Sequence, residues 1–213
     1  MDHIAAIRKE YKLESLHEKQ IEEDPFKQFE KWWHEVMKSN IDEANAMTLA
    51  TAGKTGKPSA RIVLLKGFTH EGFQFFTNYE SHKGEELKQN PQACLVFFWK
   101  ELERQVRIEG IVEKVSAAES DEYFNSRPAG SKIGAWASPQ SKVIASREIL
   151  EEKVSSVEKK FAGTEIERPG HWGGYILKPA LIEFWQGRPS RLHDRILYTR
   201  IEKNKWKIER LAP

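Results

Sequence analysis

A mainly β fold with inserted helices, an α+β chain closing toward a barrel rather than a βαβ sandwich, is predicted by three observations. About eight runs rich in β-branched and aromatic residues are separated by short Gly, Pro, Asn and Asp turns. Helical stretches interrupt them without alternating one for one. The longest apolar run, Ala93 to Trp99, is a strand in length and far below a membrane span.

The elements follow in order. Residues 1–20 are polar and read as a mobile arm, leaving 21–213 as one domain. Asp24-Pro25 supplies an N-cap and a proline at the first helical position. Phe26, Phe29, Trp33, Val36 and Met37 then recur at helical spacing up to Asn40, which predicts an amphipathic helix. Ala46–Thr51, Ser59–Phe68 and Phe73–Thr77 read as strands joined by turns at Gly53–Pro58 and His70–Gly72. A short helix is expected over Ser81–Asn90, stopped before Pro91. Strands Ala93–Trp99 and Gln105–Val115 come next. Ser116 and Glu119 form a capping box for a helix ending at Arg127-Pro128, which leaves Ser131 in a loop. Another helix fits Ser146–Phe161. Strands Tyr175–Leu177, Leu181–Gln186, Arg195–Ile201 and Lys205–Leu211 complete the chain, the last two joined at Lys203-Asn204.

Composition narrows the function. With 213 residues, 39% hydrophobic and 31% charged, the chain is sized for one folded core. Its 34 basic and 32 acidic side chains nearly cancel to +2, so no uniform field is available for nucleic acid or an anionic membrane. A nucleic-acid-binding barrel would need a continuous basic stripe with exposed aromatics. Cys94 is the lone cysteine, which excludes an intramolecular disulfide and fits a reducing compartment. With the alternating charges from Arg8 to Glu14, this gives the expectation of a cytoplasmic protein.

Familiar catalytic motifs are missing. Ala52-Gly53-Lys54-Thr55 joins two strands instead of opening a helix, so it is a hairpin turn and not a phosphate loop. There is no Gly-x-Gly-x-x-Gly fingerprint and no Gly-x-Ser-x-Gly elbow. His193-Asp194 lacks further histidines at ligand spacing, so no metal site is expected.

Four clusters remain, each beside an apolar β-run. In Arg61–Lys66, alternation sends Arg61 and Lys66 to opposite faces unless a bulge intervenes; charged ends of an edge strand would look the same. Ser81-His82-Lys83-Gly84 opens a helix, a setting that favours phosphate or a merely solvated terminus. Tyr123 and Arg127 share a helix face, and with Ser131 they form an oxyanion cradle or a surface helix end. Arg191, His193 and Arg195, if extended, project to one side at period two beside Trp185, a grouping that calls for an anionic or electron-rich partner.

Read in order, Arg8-Lys9-Glu10-Tyr11, Arg61–Lys66, Glu103–Arg107, Tyr123–Pro128, Ile133–Trp136, Ile182–Gly187, Arg191–Arg195 and Trp206–Pro213 match one known pattern over nearly the whole chain. The sequence resembles the pyridoxine (pyridoxamine) 5′-phosphate oxidase family of flavoproteins. The resemblance implies an FMN-binding split β-barrel, a homodimer with FMN at the subunit interface and residues of both chains completing each site. It implies FMN contacts from Arg61, Ile62, Val63, Leu64, Leu65 and Lys66, from Phe76 and Thr77, from His82 and Lys83, and from Gln140 and Ser141. Gln105, Trp185 and Arg195 would face the isoalloxazine. Lys66, Tyr123, Arg127 and Ser131 would hold the substrate phosphate, with Arg191 and His193 as catalytic residues over the pyridine ring. Arg8, Lys9, Glu10 and Tyr11 would close over the site as a lid. The implied reaction oxidises pyridoxine or pyridoxamine 5′-phosphate to pyridoxal 5′-phosphate with oxygen as acceptor, yielding hydrogen peroxide, and ammonia from the amine. His82 stands where the family often has arginine, which makes the charge at that position pH-dependent. A non-catalytic flavin- or haem-binding split barrel is the alternative on the same fold.

Overall fold

A computed structural model describes residues 4–213; the first three residues of the expected arm lie outside the described part. Helix α1 (Pro25–Lys38) starts where the cap predicts, the Asp24 carboxylate accepting the Phe26 N–H at 2.8 Å. Its buried face carries Phe26, Phe29, Trp32 and Val36. Trp32 therefore replaces the expected Trp33, which is only half-buried, and Met37 is 59% exposed.

Among the described residues, nine strands form one antiparallel sheet: β1 (Ala46–Ala52), β2 (Pro58–Leu64), β3 (Gly67–Thr69), β4 (Gly72–Asn78), β5 (Gln92–Trp99), β6 (Arg104–Lys114), β7 (Trp172–Gln186), β8 (Asp194–Glu202) and β9 (Lys205–Arg210). The order is β2-β1-β5-β6-β7-β4-β3, with β8 and β9 branching from β7. The fork is in β7. Its first half, Trp172 to Leu177, pairs with β4, and its second half, Leu181 to Gln186, pairs with β8, while β6 runs alongside both. The register shifts at Glu109/Gly110, and a side chain at Gly110 would meet the Lys178 carbonyl oxygen at 2.1 Å, so only glycine lets the strands approach there.

Phe29, Phe73, Phe75, Leu95, Phe97, Ile108 and Phe184 are fully buried inside the curved sheet. Helix α1 plugs one end, the Phe29 ring lying 4.9 Å from both Phe68 and Phe73. Helices α2 (His82–Gln89), α3 (Ala117–Ser126), α4 (Ala129–Ala137) and α5 (Arg147–Lys160) are the inserts. The Ser116–Glu119 capping box is formed.

Four further expectations are corrected. The strand expected over 59–68 breaks at Leu65-Lys66 into β2 and β3. The strands expected at 175–177 and 181–186 are one strand, because Pro179 sits at the register shift where its missing N–H costs no ladder bond. Ser131 lies in the first turn of α4 and not in a loop, since Pro128 ends α3 and also precedes the first turn of the next helix. Arg191 is not extended: Pro189–Arg191 is a single 3₁₀ turn with Ser190 at φ 55° and Arg191 at φ 62°, so period-two spacing does not align Arg191 with His193.

Candidate active site

The first candidate region is a cavity of about 490 Å³ where the break between β2 and β3, the end of β4, the start of α2 and the α3–α4 junction meet. Ile62, Val63, Leu64 and Lys66 line one side, Phe76, Thr77 and Lys83 the floor, and Tyr123, Arg127, Pro128, Ser131, Gln140 and Trp172 the rest. The break that leaves Lys66 outside regular strand is what turns it into this space. Tyr123 stacks on Phe76 at 4.0 Å between centroids, and the Arg127 guanidinium sits 4.5 Å from the Trp172 ring centroid.

Three cations converge there without a carboxylate among the described lining residues. The Lys83 ammonium is buried, donating to Thr77 Oγ1 at 3.1 Å and Gln140 Oε1 at 3.0 Å. Burial and the nearby Arg61 charge lower its pKa from 10.5 to about 8. Burial also lowers the Arg127 pKa, and its Nη1 is buried with no hydrogen-bond partner. A buried guanidinium N–H left unpaired is costly, a cost that an acceptor entering this cavity would relieve; Arg200 Nε is buried and unpaired in the same way away from the cavity.

Some expected contacts lie behind the cavity. Arg61 donates to the Leu49 carbonyl at 3.1 Å and to Thr51 and Ser59, and it pairs with Glu86 at 3.3 Å. Thr51 and Ser59 hydroxyls also donate to the Glu86 carboxylate at 2.6 Å each. His82 faces the other Glu86 oxygen at 3.6 Å and does not line the cavity with Lys83. Leu65 points into the core, and Ser141 is exposed at φ 69° beside Gln140.

The second region lies at the far end of β7. Gln105, Trp185 and Arg195 form a row across β6, β7 and β8, Gln105 opposite Trp185 and Trp185 opposite Arg195. Arg195 is aimed by the buried Glu183 carboxylate at 2.7 Å, which also takes Arg107 at 2.6 Å, and by the Ala212 carbonyl at 2.9 Å. Glu183 stabilises the charged form of Arg195 and raises its pKa. The His193 ring lies 4.6 Å from Trp185, and its Nδ1 accepts the Arg188 N–H at 3.1 Å. Burial and the Arg191 charge lower the His193 pKa, favouring a neutral imidazole with its proton on Nε2. Arg8, Lys9, Glu10 and Tyr11 wall a cavity of about 660 Å³ together with Arg188, Ser190, Arg191 and His193.

The sequence reading therefore divides into two groups that one chain does not bring together. Trp172 opens β7 at the first region and Trp185 nearly closes it at the second, so about 40 Å of strand separates them along its path at ~3.3 Å per residue. The reading missed Trp172, Pro128 and the carboxylates Glu86, Glu103 and Glu183. The last sits between Ile182 and Phe184, where a charged residue in an apolar strand is itself a signal.

Comparison with known proteins agrees with this architecture. The family model described as pyridoxamine 5′-phosphate oxidase matches residues 33–161, and the model described as the pyridoxine 5′-phosphate oxidase C-terminal dimerisation region matches residues 172–213. The pyridoxine/pyridoxamine 5′-phosphate oxidase of Trichormus variabilis is 57% identical over 99% of this chain and 98% of its own, and that of Cupriavidus metallidurans is 55% identical over the whole of both. Among solved structures, PhzG from Burkholderia lata, in complex with tetrahydrophenazine-1-carboxylic acid, superposes with a TM-score of 0.87 at 28% identity, covering 94% of this chain and 99% of its own. An FMN-binding protein from Nostoc punctiforme related to pyridoxamine 5′-phosphate oxidase shares the fold, with a TM-score of 0.68 at 18% identity over 94% and 100%. The fold is the split barrel, the non-catalytic alternative gives way to an oxidoreductase, and the chain belongs to the pyridoxine/pyridoxamine 5′-phosphate oxidase family.

Proposed function

We propose that this protein oxidises pyridoxine 5′-phosphate or pyridoxamine 5′-phosphate to pyridoxal 5′-phosphate, using FMN and oxygen, as a cytoplasmic homodimer serving vitamin B6 metabolism. The observation that carries this reading is the buried, unpartnered Arg127 Nη1 in a cavity that also gathers Lys66 and Lys83. Such a site fits phosphate monoesters, and its aromatic wall of Phe76, Tyr123 and Trp172 fits a flat ring system.

The cations divide between two phosphates. Lys83, with Arg61 behind it and Thr77 and Gln140 beside it, suits the FMN phosphate. Arg127, Lys66, Tyr123 and Ser131 suit the substrate phosphate, with Ser131 in the first turn of α4 where the helix dipole favours an anion. FMN held by Lys83, Thr77 and Gln140 would supply the redox chemistry, a two-electron oxidation of the substrate at C4′ with oxygen as final acceptor and hydrogen peroxide as product. Gln105 and Trp185, in one row with Arg195, would lie beside the flavin ring, and Arg195, held charged by Glu183, would favour negative charge there. Arg191 and the neutral His193 would orient the substrate C4′ group; the alcohol's hydroxyl proton, or one amine proton, would pass to solvent water, and the imine formed from the amine would add one water and release ammonia. The outer part of the arm, residues 4–13, moves to admit substrate, and Arg8 to Tyr11 close behind it, while Leu16 stays in the core. The two groups sit at opposite ends of β7, so a second copy of the chain completes each site, in keeping with the dimerisation-region match at 172–213.

The test is direct. Purified protein should show a flavin absorption band that bleaches on anaerobic addition of pyridoxine 5′-phosphate, then returns with oxygen while one hydrogen peroxide forms per aldehyde. Bleaching by a partly reduced tricyclic carboxylate, of the kind bound to PhzG, but by neither B6 phosphate, would replace this substrate assignment.

A further inference from the structure

Glu103 lies in the turn between β5 and β6, only 2% exposed, with its backbone at φ 55°. Its carboxylate has no cation from the barrel. Instead Oε2 accepts the main-chain N–H groups of Lys12 at 2.8 Å and Leu13 at 3.1 Å, and Oε1 pairs with the Lys9 ammonium at 3.3 Å. A buried carboxylate satisfied by two backbone N–H groups and one ammonium is a strong, directional anchor, because losing those donors would strand a desolvated charge. The Glu103 carbonyl meanwhile accepts the Gly187 N–H at 2.7 Å and the Gln186 side-chain amide at 3.2 Å, tying the anchor to the end of β7.

The segment from Lys9 to Leu13 is thereby held against the second region, while Glu14, Leu16 and Glu18 are tied separately to Arg188, Asp194 and Arg210. Tyr11 lies 5.7 Å from Trp185 and 5.9 Å from His193 between ring centroids, directly above Gly187. A side chain at Gly187 would meet the Tyr11 ring at 2.7 Å, so glycine is required for the ring to seat there.

We infer that Glu103 is a positioning residue for catalysis: it latches the arm through Lys9, Lys12 and Leu13 and so holds Tyr11 over Trp185 and His193. This deepens the function proposed above and rests on it for its kinetic part, whereas the latch itself is measurable without turnover. Glu103→Gln keeps the shape but removes the charge, Glu103→Asp keeps the charge, and Gly187→Ala leaves Glu103 intact but displaces Tyr11.

The experiment uses the FMN-loaded full chain. Trypsin cleavage after Arg8, Lys9 and Lys12 is followed by mass spectrometry with and without pyridoxal 5′-phosphate, and KM and kcat are measured for pyridoxine 5′-phosphate. In Glu103→Gln and Gly187→Ala, arm cleavage should accelerate about tenfold and KM should rise about tenfold, with FMN content and Tm unchanged; Glu103→Asp should recover most of both. Wild-type cleavage rates in both variants would overturn the latch. Faster cleavage with unchanged KM would overturn the positioning role. A wild-type protein inert toward pyridoxine 5′-phosphate would instead defeat the proposed function, leaving the cleavage comparison to decide the latch.

Discussion

The two candidate regions treat charge in opposite ways. Around the first cavity, Lys66, Lys83 and Arg127 meet aromatic rings, hydroxyls and an amide, and no carboxylate lines the space among the described residues. Around the second, Arg195 and Arg107 share Glu183, Arg188 and Arg210 share Asp194, and Lys9 pairs with Glu103. Unpaired cations await an anion from outside, whereas paired cations hold structure in place. On the proposed function, the first region binds anions at a cost in stability, and the second is a braced scaffold that leaves Arg8 and Arg191 without a carboxylate partner among the described residues to face the ligand.

The sharpest way to break this contrast is to remove a buried charge from each region. Glu183→Gln leaves Arg107 and Arg195 without their buried partner and should cost about 3 kcal/mol of stability, read as a lower urea midpoint at unchanged m-value. Arg127→Ala should leave stability unchanged or slightly higher, since it removes a desolvated cation. It should lower kcat/KM by about 1.5–3 kcal/mol through KM, with FMN content unaffected. Loss of flavin in Arg127→Ala with normal KM would assign that cation to the other phosphate.

Lys83 sharpens the contrast through pH. Its folded pKa of about 8 lies below the ordinary 10.5, so the unfolded chain holds more protons between those values. Stability of the FMN-free protein should therefore rise with pH across that window, while FMN affinity falls up to about tenfold from pH 7 to 9 as the ammonium is lost. Thermal melts and flavin titrations at the same pH values check both slopes. The smallest effect belongs to His82→Arg. Because His82 faces Glu86 and not the cavity, arginine there should tighten FMN by no more than ~0.5 kcal/mol, the worth of an exposed pair. A tenfold gain would show that position 82 reaches the phosphate directly.

Much of the barrel was legible from alternation and turns, because a strand with one buried face writes period two into its sequence. Its failures came where tertiary structure overrode local signals. The break at Leu65-Lys66 leaves no mark in Arg61–Lys66, whose apolar run reads as one strand; it follows from Leu65 turning into the core while its N–H and carbonyl oxygen bond to Asn45. Helix α4 was missed because Ala129–Ala137 follows a proline and contains two glycines, both poor helix signals. Of the site, Ser131 was expected in a loop and lies in α4, whereas Tyr123 and Arg127 were readable on one helix face. Arg191 was not, since the positive φ of Ser190 and Arg191 is invisible to a rule that assumes extended chain. Glu183 does mark itself as a charge within an apolar strand, whereas Glu103 carries no such mark and its partners, such as Lys12, lie too far along the chain to read.

On the proposed function, each chain carries two complementary halves used by different sites. Mixing subunits tests it most directly. Lys83→Met disables the first half and Arg195→Met the second, so each homodimer alone should be inactive. Co-expressed at equal levels, half the dimers are mixed, and each of these rebuilds one of its two sites from intact halves, giving about a quarter of wild-type activity. Recovery near that level is the predicted result. No recovery in verified mixed dimers would contradict the account, because it would place both halves of each site on one chain.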